Sequence, residues 1–191
     1  QAGYATAESG KWRQVGETPR DWSFDEYCTD PTAGGWYWKD SYEKNGEQVN
    51  AGKEVYNPDI IQKFSIDFIT RNKEKPFFLF LTPNTPHANN EAGDKGMEVP
   101  DVSDFADKDW PAAEKAFAAM IRNIDRDTGR ILDLLQELGL AKDTLVLFTS
   151  DIGPHREGGH DPDFFDSNGK YRGIKRDMTE GGIRVPAIAW W

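Results

Sequence analysis

Two short apolar runs, separated by a long segment of helical periodicity, constrain the fold of this chain more than any other feature. The first run is Pro76 to Leu81, and the second is Thr144 to Thr149. A continuous apolar run of this length, bounded by turn residues, is typical of a strand covered on both faces. The segment between them, from about Pro111 to Leu138, repeats its apolar residues at the spacing of a helix. The sequence therefore predicts strand, long helix, strand in that order.

The long helix should bury one apolar stripe and stop at Gly139, because glycine commonly ends a helix. The predicted stripe is Phe117, Met120, Ile121, Ile124, Ile131, Leu135 and Leu138.

Four shorter elements are predicted around this framework. A brief strand is expected near Tyr4 to Ala7, and the pair Asn45-Gly46 is a strong signal for a hairpin turn. Asn57-Pro58 should begin a helix that ends between Lys73 and Pro76, since proline is favoured at the first helical position. A last apolar strand should run from Ile183 to the final residue.

This order of elements predicts an α/β fold with a mostly parallel sheet flanked by helices. In such sheets, ligands bind at the carboxyl ends of the strands. Residues 82–87 and 151–175, which follow the two apolar runs, are therefore the places to look for a site.

Composition excludes several classes of protein. A net charge of -10 argues against nucleic-acid binding, because phosphate neutralisation requires a basic face. No segment reaches the roughly 18 apolar residues of a membrane span, and the single cysteine, Cys28, rules out an internal disulfide framework. The abrupt start at Gln1 and the end on Trp190-Trp191 lead us to expect an internal fragment of a larger domain.

Three residues in the expected site regions could carry chemistry, each with an ordinary alternative. Asp151 follows the second run and could cap a turn or bind a hard cation such as calcium. Lys175 lies among glycines and could contact an oxyanion or belong to a solvated turn. His87 lies just past the first run and could be structural, or an acid or anion contact.

Weaker candidates lie elsewhere in the chain. Lys11 and Arg13 flank Trp12 and offer two cations. His155 and Arg172, in the loop after the second run, are candidates for substrate contacts. Cys28 is interpreted as a bystander rather than a nucleophile, because its acidic neighbours would raise the pKa of its thiol.

Taken together, these motifs resemble the sulfatase family of the alkaline-phosphatase-like superfamily. The matching stretches are Gly3-Tyr4-Ala5-Thr6 with Gly10-Lys11-Trp12, then Lys75 to Leu79 with Pro86-His87, then Thr144 to Asp151. The most specific stretch runs from Glu157-Gly158-Gly159 through Gly173-Ile174-Lys175 to Glu180-Gly181-Gly182-Ile183-Arg184-Val185-Pro186. The fold implied is a partial alkaline-phosphatase-like sandwich, truncated at both ends, within one catalytic domain spanning residues 1–191.

The resemblance also implies roles for individual residues. Lys11 and Lys175 would hold the sulfate oxygens, His87 would contact the ester or protonate its leaving oxygen, and Asp151 would bind calcium. The family's nucleophile is a formylglycine made within Cys/Ser-x-Pro-x-Arg, which attacks sulfur. A sulfate ester, most simply a sulfated carbohydrate, would be the substrate, and family members are usually periplasmic or extracellular.

The sequence departs from the family pattern at informative places. No Cys/Ser-x-Pro-x-Arg occurs, so these residues alone should be inactive. Ile152 stands where the family has a metal-binding Asn, and Arg13 stands where it has a His. Two alternatives therefore remain open: a phosphodiesterase or phosphonate hydrolase of the same superfamily, and a non-catalytic relative with a degraded metal site.

Overall fold

The computed structural model describes residues 2–12, 17–29 and 36–191. It divides into two compact units, residues 1–85 and residues 86–191. The prediction of a single catalytic domain stays a prediction. Within the described residues, no helix is long and apolar enough to cross a membrane.

The first unit is built on a sheet of five strands, β1 (Ala5–Gly10), β2 (Glu26–Thr29), β3 (Trp38–Lys44), β4 (Glu47–Tyr56) and β5 (Phe77–Thr82). Their order in the sheet is β4-β3-β2-β1-β5. β1 pairs in parallel with both β2 and β5, whereas β2–β3 and β3–β4 are antiparallel. The α/β class is thus confirmed, but the sheet is mixed rather than mostly parallel, because a hairpin supplies its last two strands.

Local sequence signals account for the hairpin and for the helix that follows it. Asn45 and Gly46 have positive φ angles of 56° and 91° and join β3 to β4 as a two-residue turn, as predicted. Helix α1 (Asn57–Arg71) carries proline in its first turn. It buries Phe64 and Phe68 in the core of the first unit.

The prediction that the first apolar run is covered on both faces is wrong. β5 is an edge strand, and its side chains alternate between the two faces of the sheet. Phe78 and Phe80 are 52% and 44% exposed, on the face where Phe24 stacks against them. An unbroken apolar run does not reveal whether a strand lies at the centre or the edge of a sheet.

The second unit contains the long helix and a separate pair of strands. Helix α2 (Ala112–Glu137) matches the predicted span, and Gly139, with a φ of 72°, lies just past its C-cap Leu138 and stops it as predicted. Its last turn is closed by hydrogen bonds from Leu140 N to Leu135 O and from Gly139 N to Gln136 O. Strands β6 (Val146–Thr149) and β7 (Ala187–Trp190) pair antiparallel. The final strand was predicted to begin at Ile183, but Ile183 ends the short helix α3 (Glu180–Ile183) and the strand begins at Ala187.

Burial in the second unit differs from the predicted stripe. Met120 and Leu135 are buried as expected, but Ile121 is 43% exposed. Glu114 lies on the buried face of α2, because it forms a polar contact inside the unit that hydrophobic periodicity could not reveal. The second apolar run is also less covered than predicted, since Leu147 in β6 is 70% exposed.

Two leucines in the second unit test this assignment. Leu135→Ala in the 191-residue chain should lower the free energy of unfolding by about 2–5 kcal/mol, because a cavity replaces a side chain that is 1% exposed. Leu147→Ala is the matched control and should change it by less than about 0.5 kcal/mol. Urea denaturation measures both, and equal losses would contradict the burial described here.

Candidate functional site

Two polar side chains of the second unit contact the amino group of Lys175. Its Nζ lies 2.9 Å from Glu157 Oε2 and 3.0 Å from His87 Nε2. The side chains of Lys175 and Glu157 are 12% and 11% exposed. We call Lys175, Glu157 and His87 the lysine cluster. Two of the three residues, Lys175 and His87, were predicted from the sequence, and the structure brings them together.

Hydrogen bonding fixes the form of His87 in this arrangement. Its Nδ1 lies 2.7 Å from the carbonyl oxygen of Ala88, to which it can only donate. Its Nε2 faces an ammonium group, which has only protons to offer and so donates to the imidazole lone pair. These two contacts favour the tautomer that carries its proton on Nδ1.

Glu157 is the residue of the cluster for which sequence reasoning assigned no role. Besides Lys175 it binds Arg176, whose Nη1 lies 2.6 Å from Oε1. Burial alone would raise the pKa of Glu157, but the hydrogen bonds from Lys175 and Arg176 outweigh burial and lower that pKa. Glu157 is thus a carboxylate shared between two cations.

Close backbone packing places Glu157 beside the loop of His87. Gly158 and Gly159 follow it with φ angles of 67° and 81°. A Cβ on Gly158 would collide with Ala88, and one on Gly159 would collide with the backbone of Asp94. These two glycines let the chain after Glu157 pack directly against the segment that follows His87.

A second set of glycines holds Lys175. Lys175 N donates to the carbonyl of Pro154, and Gly153 N donates to the carbonyl of Gly182. A Cβ on Gly153 or Gly181 would strike neighbouring backbone. The glycine-rich motif thus serves close packing of two loops, and this packing fixes the backbone from which Lys175 projects.

His155 lies inside the second unit and supports the loop of His87. It is 7% exposed, and its Nε2 donates to the carbonyl of Pro86 at 3.1 Å. Its ring lies 6.2 Å from the ring of His87. Burial lowers the pKa of His155, and the bond to Pro86 opposes that shift only in part. This placement favours a positioning role over the predicted contact with substrate.

A buried hydrogen bond joins His160 to helix α2 beside His155, and the sequence did not predict this pairing. His160 Nδ1 lies 2.7 Å from Glu114 Oε2, with the two side chains 0% and 3% exposed. Glu114 also accepts a hydrogen bond from Asp161 N at 2.8 Å. The available sequence signal was a lone carboxylate within the amphipathic pattern of the long helix.

Lys11 belongs to the first unit, where it directly follows β1. Its backbone N donates to the carbonyl of Thr82 at the end of β5, so it lies at the carboxyl ends of two parallel strands. Its Nζ lies 5.8 Å from the centre of the Trp36 ring, a cation–π contact. Its predicted sulfate contact stays a prediction, and Arg13 lies outside the described residues.

Asp151 follows β6 as predicted and is exposed. Its Oδ1 accepts a hydrogen bond from the backbone N of Ile152 at 3.0 Å, so the side chain also acts as a turn cap. Within the described ranges, no three His, Cys, Asp or Glu residues are grouped so that they could hold a metal ion. Calcium prefers about six to eight oxygen ligands, and one carboxylate beside an isoleucine does not fit that requirement.

Two further residues considered in the sequence analysis, Arg172 and Cys28, are not part of the lysine cluster. Arg172 is exposed on a shallow depression that Tyr171 and Met178 also line. Its backbone carbonyl accepts bonds from Gly181 N and Thr179 Oγ1. Cys28, the one cysteine of the sequence, is buried in β2, which favours its interpretation as a bystander.

The pKa of His155 predicts a pH-dependent stability. Because the folded-state pKa lies below the ordinary value of about 6.5, its stabilisation is present above that pH and is lost as pH falls through the folded pKa. His155→Gln keeps a donor for Pro86 and removes the titration. We expect urea denaturation between pH 7.5 and pH 5 to show a smaller loss for the variant than for the native chain. A parallel loss in both proteins would contradict the assignment.

Comparison with known proteins matches these features to a family. The family model described as Sulfatase covers residues 1–191. Mouse (Mus musculus) steryl-sulfatase is 39% identical over 126 residues, which is 65% of this chain and 18% of that protein. Pig (Sus scrofa) N-acetylgalactosamine-6-sulfatase is 30% identical over 218 residues, 100% of this chain and 38% of that protein.

The fold agrees with solved structures as well. The structure of Ps i-CgsB in complex with k-i-k-neocarrahexaose superimposes with a TM-score of 0.78 and 26% identity, covering 99% of this chain and 45% of that one. This confirms the predicted fold class. The chain spans less than half the length of these relatives, and it matches the family model from its first residue to its last. The chain therefore belongs to the sulfatase family.

Proposed function

We propose that the protein containing this chain hydrolyses sulfate esters and that the lysine cluster contacts the sulfate group. The observation that carries the proposal is the pairing of Lys175 with His87 at 3.0 Å within a partly buried, glycine-packed loop. Membership of the sulfatase family supports the reaction type. The 191 residues carry no formylglycine motif, so the proposal concerns the full-length protein.

The chemistry proposed for the two residues follows from their protons. Lys175 is an ammonium with three N–H donors, and it can place one on a sulfate oxygen while retaining its contacts in the cluster. His87 Nε2 accepts a hydrogen bond from that ammonium, so it can take this proton and pass it to the ester oxygen that leaves, with Lys175 left as the neutral amine. Calcium enters no step here, because the described donors do not form its shell.

Sulfated carbohydrate is the substrate class that we propose. It is supported by the names of two relatives that match the whole or nearly the whole of this chain, an N-acetylgalactosamine-6-sulfatase and a structure in complex with a neocarrahexaose. Similarity to steryl-sulfatase points to a different class of alcohol. Comparing turnover of a sulfated oligosaccharide with that of a steroid sulfate by the full-length protein decides between them. The predicted periplasmic or extracellular location stays a proposal.

Mutation of the cluster tests the hydrolase proposal. In the full-length protein, Lys175→Ala and His87→Ala should each lower kcat for a sulfate ester by about 10²–10⁴-fold, since each removes a proton donor or acceptor from the reacting group. Lys170→Ala, in the exposed loop before the cluster, is the matched control and should leave kcat within about twofold. Steady-state kinetics measure all three.

Measuring phosphate ester turnover in the same assays distinguishes sulfate ester hydrolysis from the alternative phosphodiesterase or phosphonate hydrolase activity. A phosphodiesterase or phosphonate hydrolase would turn over its phosphorus substrate faster than the sulfate ester. Near-native kcat for Lys175→Ala would contradict the role assigned to the cluster.

One observation favours a second candidate, a non-catalytic member of the family. The Ile152 side chain supplies no ligand at a position where the family resemblance implies one, and Asp151 Oδ1 accepts a hydrogen bond from the backbone N of Ile152. If the remaining ligands of the site are intact, Ile152→Asn in the full-length protein should raise its calcium affinity. Isothermal calorimetry measures this, and an unchanged affinity would contradict a metal site impaired only at this position.

A further inference from the structure

We propose that Glu157 is the positioning residue of the site, and that it holds the Lys175 ammonium at the point where it serves both His87 and the substrate anion. This inference rests on the proposed function and deepens it, because it concerns how the same site is assembled. The resemblance assigned roles to Lys175 and His87, and it left Glu157 without one.

Donor geometry is the first argument. The Lys175 ammonium has three protons, of which one goes to Glu157 Oε2 and one to His87 Nε2. Lysine has a long, flexible side chain, so two fixed acceptors are needed to hold its Nζ in one place. With both in use, the third proton points in a defined direction and is available to an anion.

Contacts on both oxygens and low exposure restrict the movement of the Glu157 carboxylate. Its second oxygen binds Arg176 at 2.6 Å, so both carboxylate oxygens are occupied by cations. The side chain is 11% exposed, which limits the water that could replace these bonds. The adjacent Gly158 packs against Ala88 with no room for a side chain, and Ala88 is the residue whose carbonyl binds His87 Nδ1.

Lys175, Arg176 and Glu157 together carry a net charge of about +1, and removal of the carboxylate would raise it to about +2. If Glu157 mattered only through its charge, its loss would strengthen attraction for a sulfate anion. If it positions Lys175, the loss must weaken catalysis although the site becomes more positive.

The experiment uses Glu157→Gln and Glu157→Asp in the full-length protein, with inorganic sulfate as inhibitor and a sulfate ester as substrate. Both variants should lower kcat by about tenfold or more, because a displacement near 1 Å at a reacting group can cost 10²-fold. In Glu157→Gln, the inhibition constant of sulfate should not rise while kcat falls. Native kcat in Glu157→Asp, which keeps the charge and shortens the reach, would overturn the positioning role.

A matched control comes from an exposed ion pair elsewhere in the second unit. Glu180 binds Arg184 at 2.6 Å, with the two side chains 56% and 54% exposed. Glu180→Gln removes the same charge from a carboxylate–cation pair without touching the lysine cluster. Its kcat should stay within about twofold of the native value, and a loss equal to that of Glu157→Gln would overturn the proposal.

A spectroscopic readout separates this proposal from the proposed function. In ¹⁵N NMR of the native protein, His87 should show a protonated Nδ1 and a hydrogen-bonded Nε2, and Lys175 should show slowly exchanging Nζ protons. In Glu157→Gln, the Nε2 signal should move toward that of a solvated imidazole. Absence of the native signals, or their persistence in the variant, overturns the positioning role even if no sulfate ester is hydrolysed.

Discussion

The ammonium group of Lys175 connects three loops of the second unit that are far apart in sequence. It binds a carboxylate from one loop and an imidazole from another, at 2.9 Å and 3.0 Å. A partly buried cation requires such partners, because desolvation without compensation is unfavourable. The glycines around the cluster follow from the same requirement, since the three backbones must approach closely for the side chains to reach each other.

Local signals in the sequence predicted the fold well where the cause of the structure is itself local. The Asn45-Gly46 turn and the end of α2 at Gly139 depend on φ angles that few residues adopt, so the residue type indicates the conformation. Exposure of β5 and β6 could not be predicted in this way. It depends on which strand lies beside each one, and that is decided by segments distant in the chain.

The sequence indicated two residues of the candidate site but not which side chains contact each other. His87 and Lys175 lie next to recognisable motifs, so sequence could nominate them. Glu157, Glu114 and His160 bind side chains that are 18 to 46 residues away in the chain, and charged residues in such segments are usually solvated. Only coordinates show that Glu157 is shared between two cations.

Burial also determines the charge of the site. His155 lies 6.2 Å from His87, and burial keeps it neutral by lowering its pKa. A protonated His155 would add another cation near Lys175 and would also be attracted to the Glu157 carboxylate. Because it remains neutral, it can hold the Pro86 carbonyl and so the loop of His87 without changing the electrostatic balance. Around the Lys175 ammonium, Glu157 and Arg176 then carry charge, and His155 adds none.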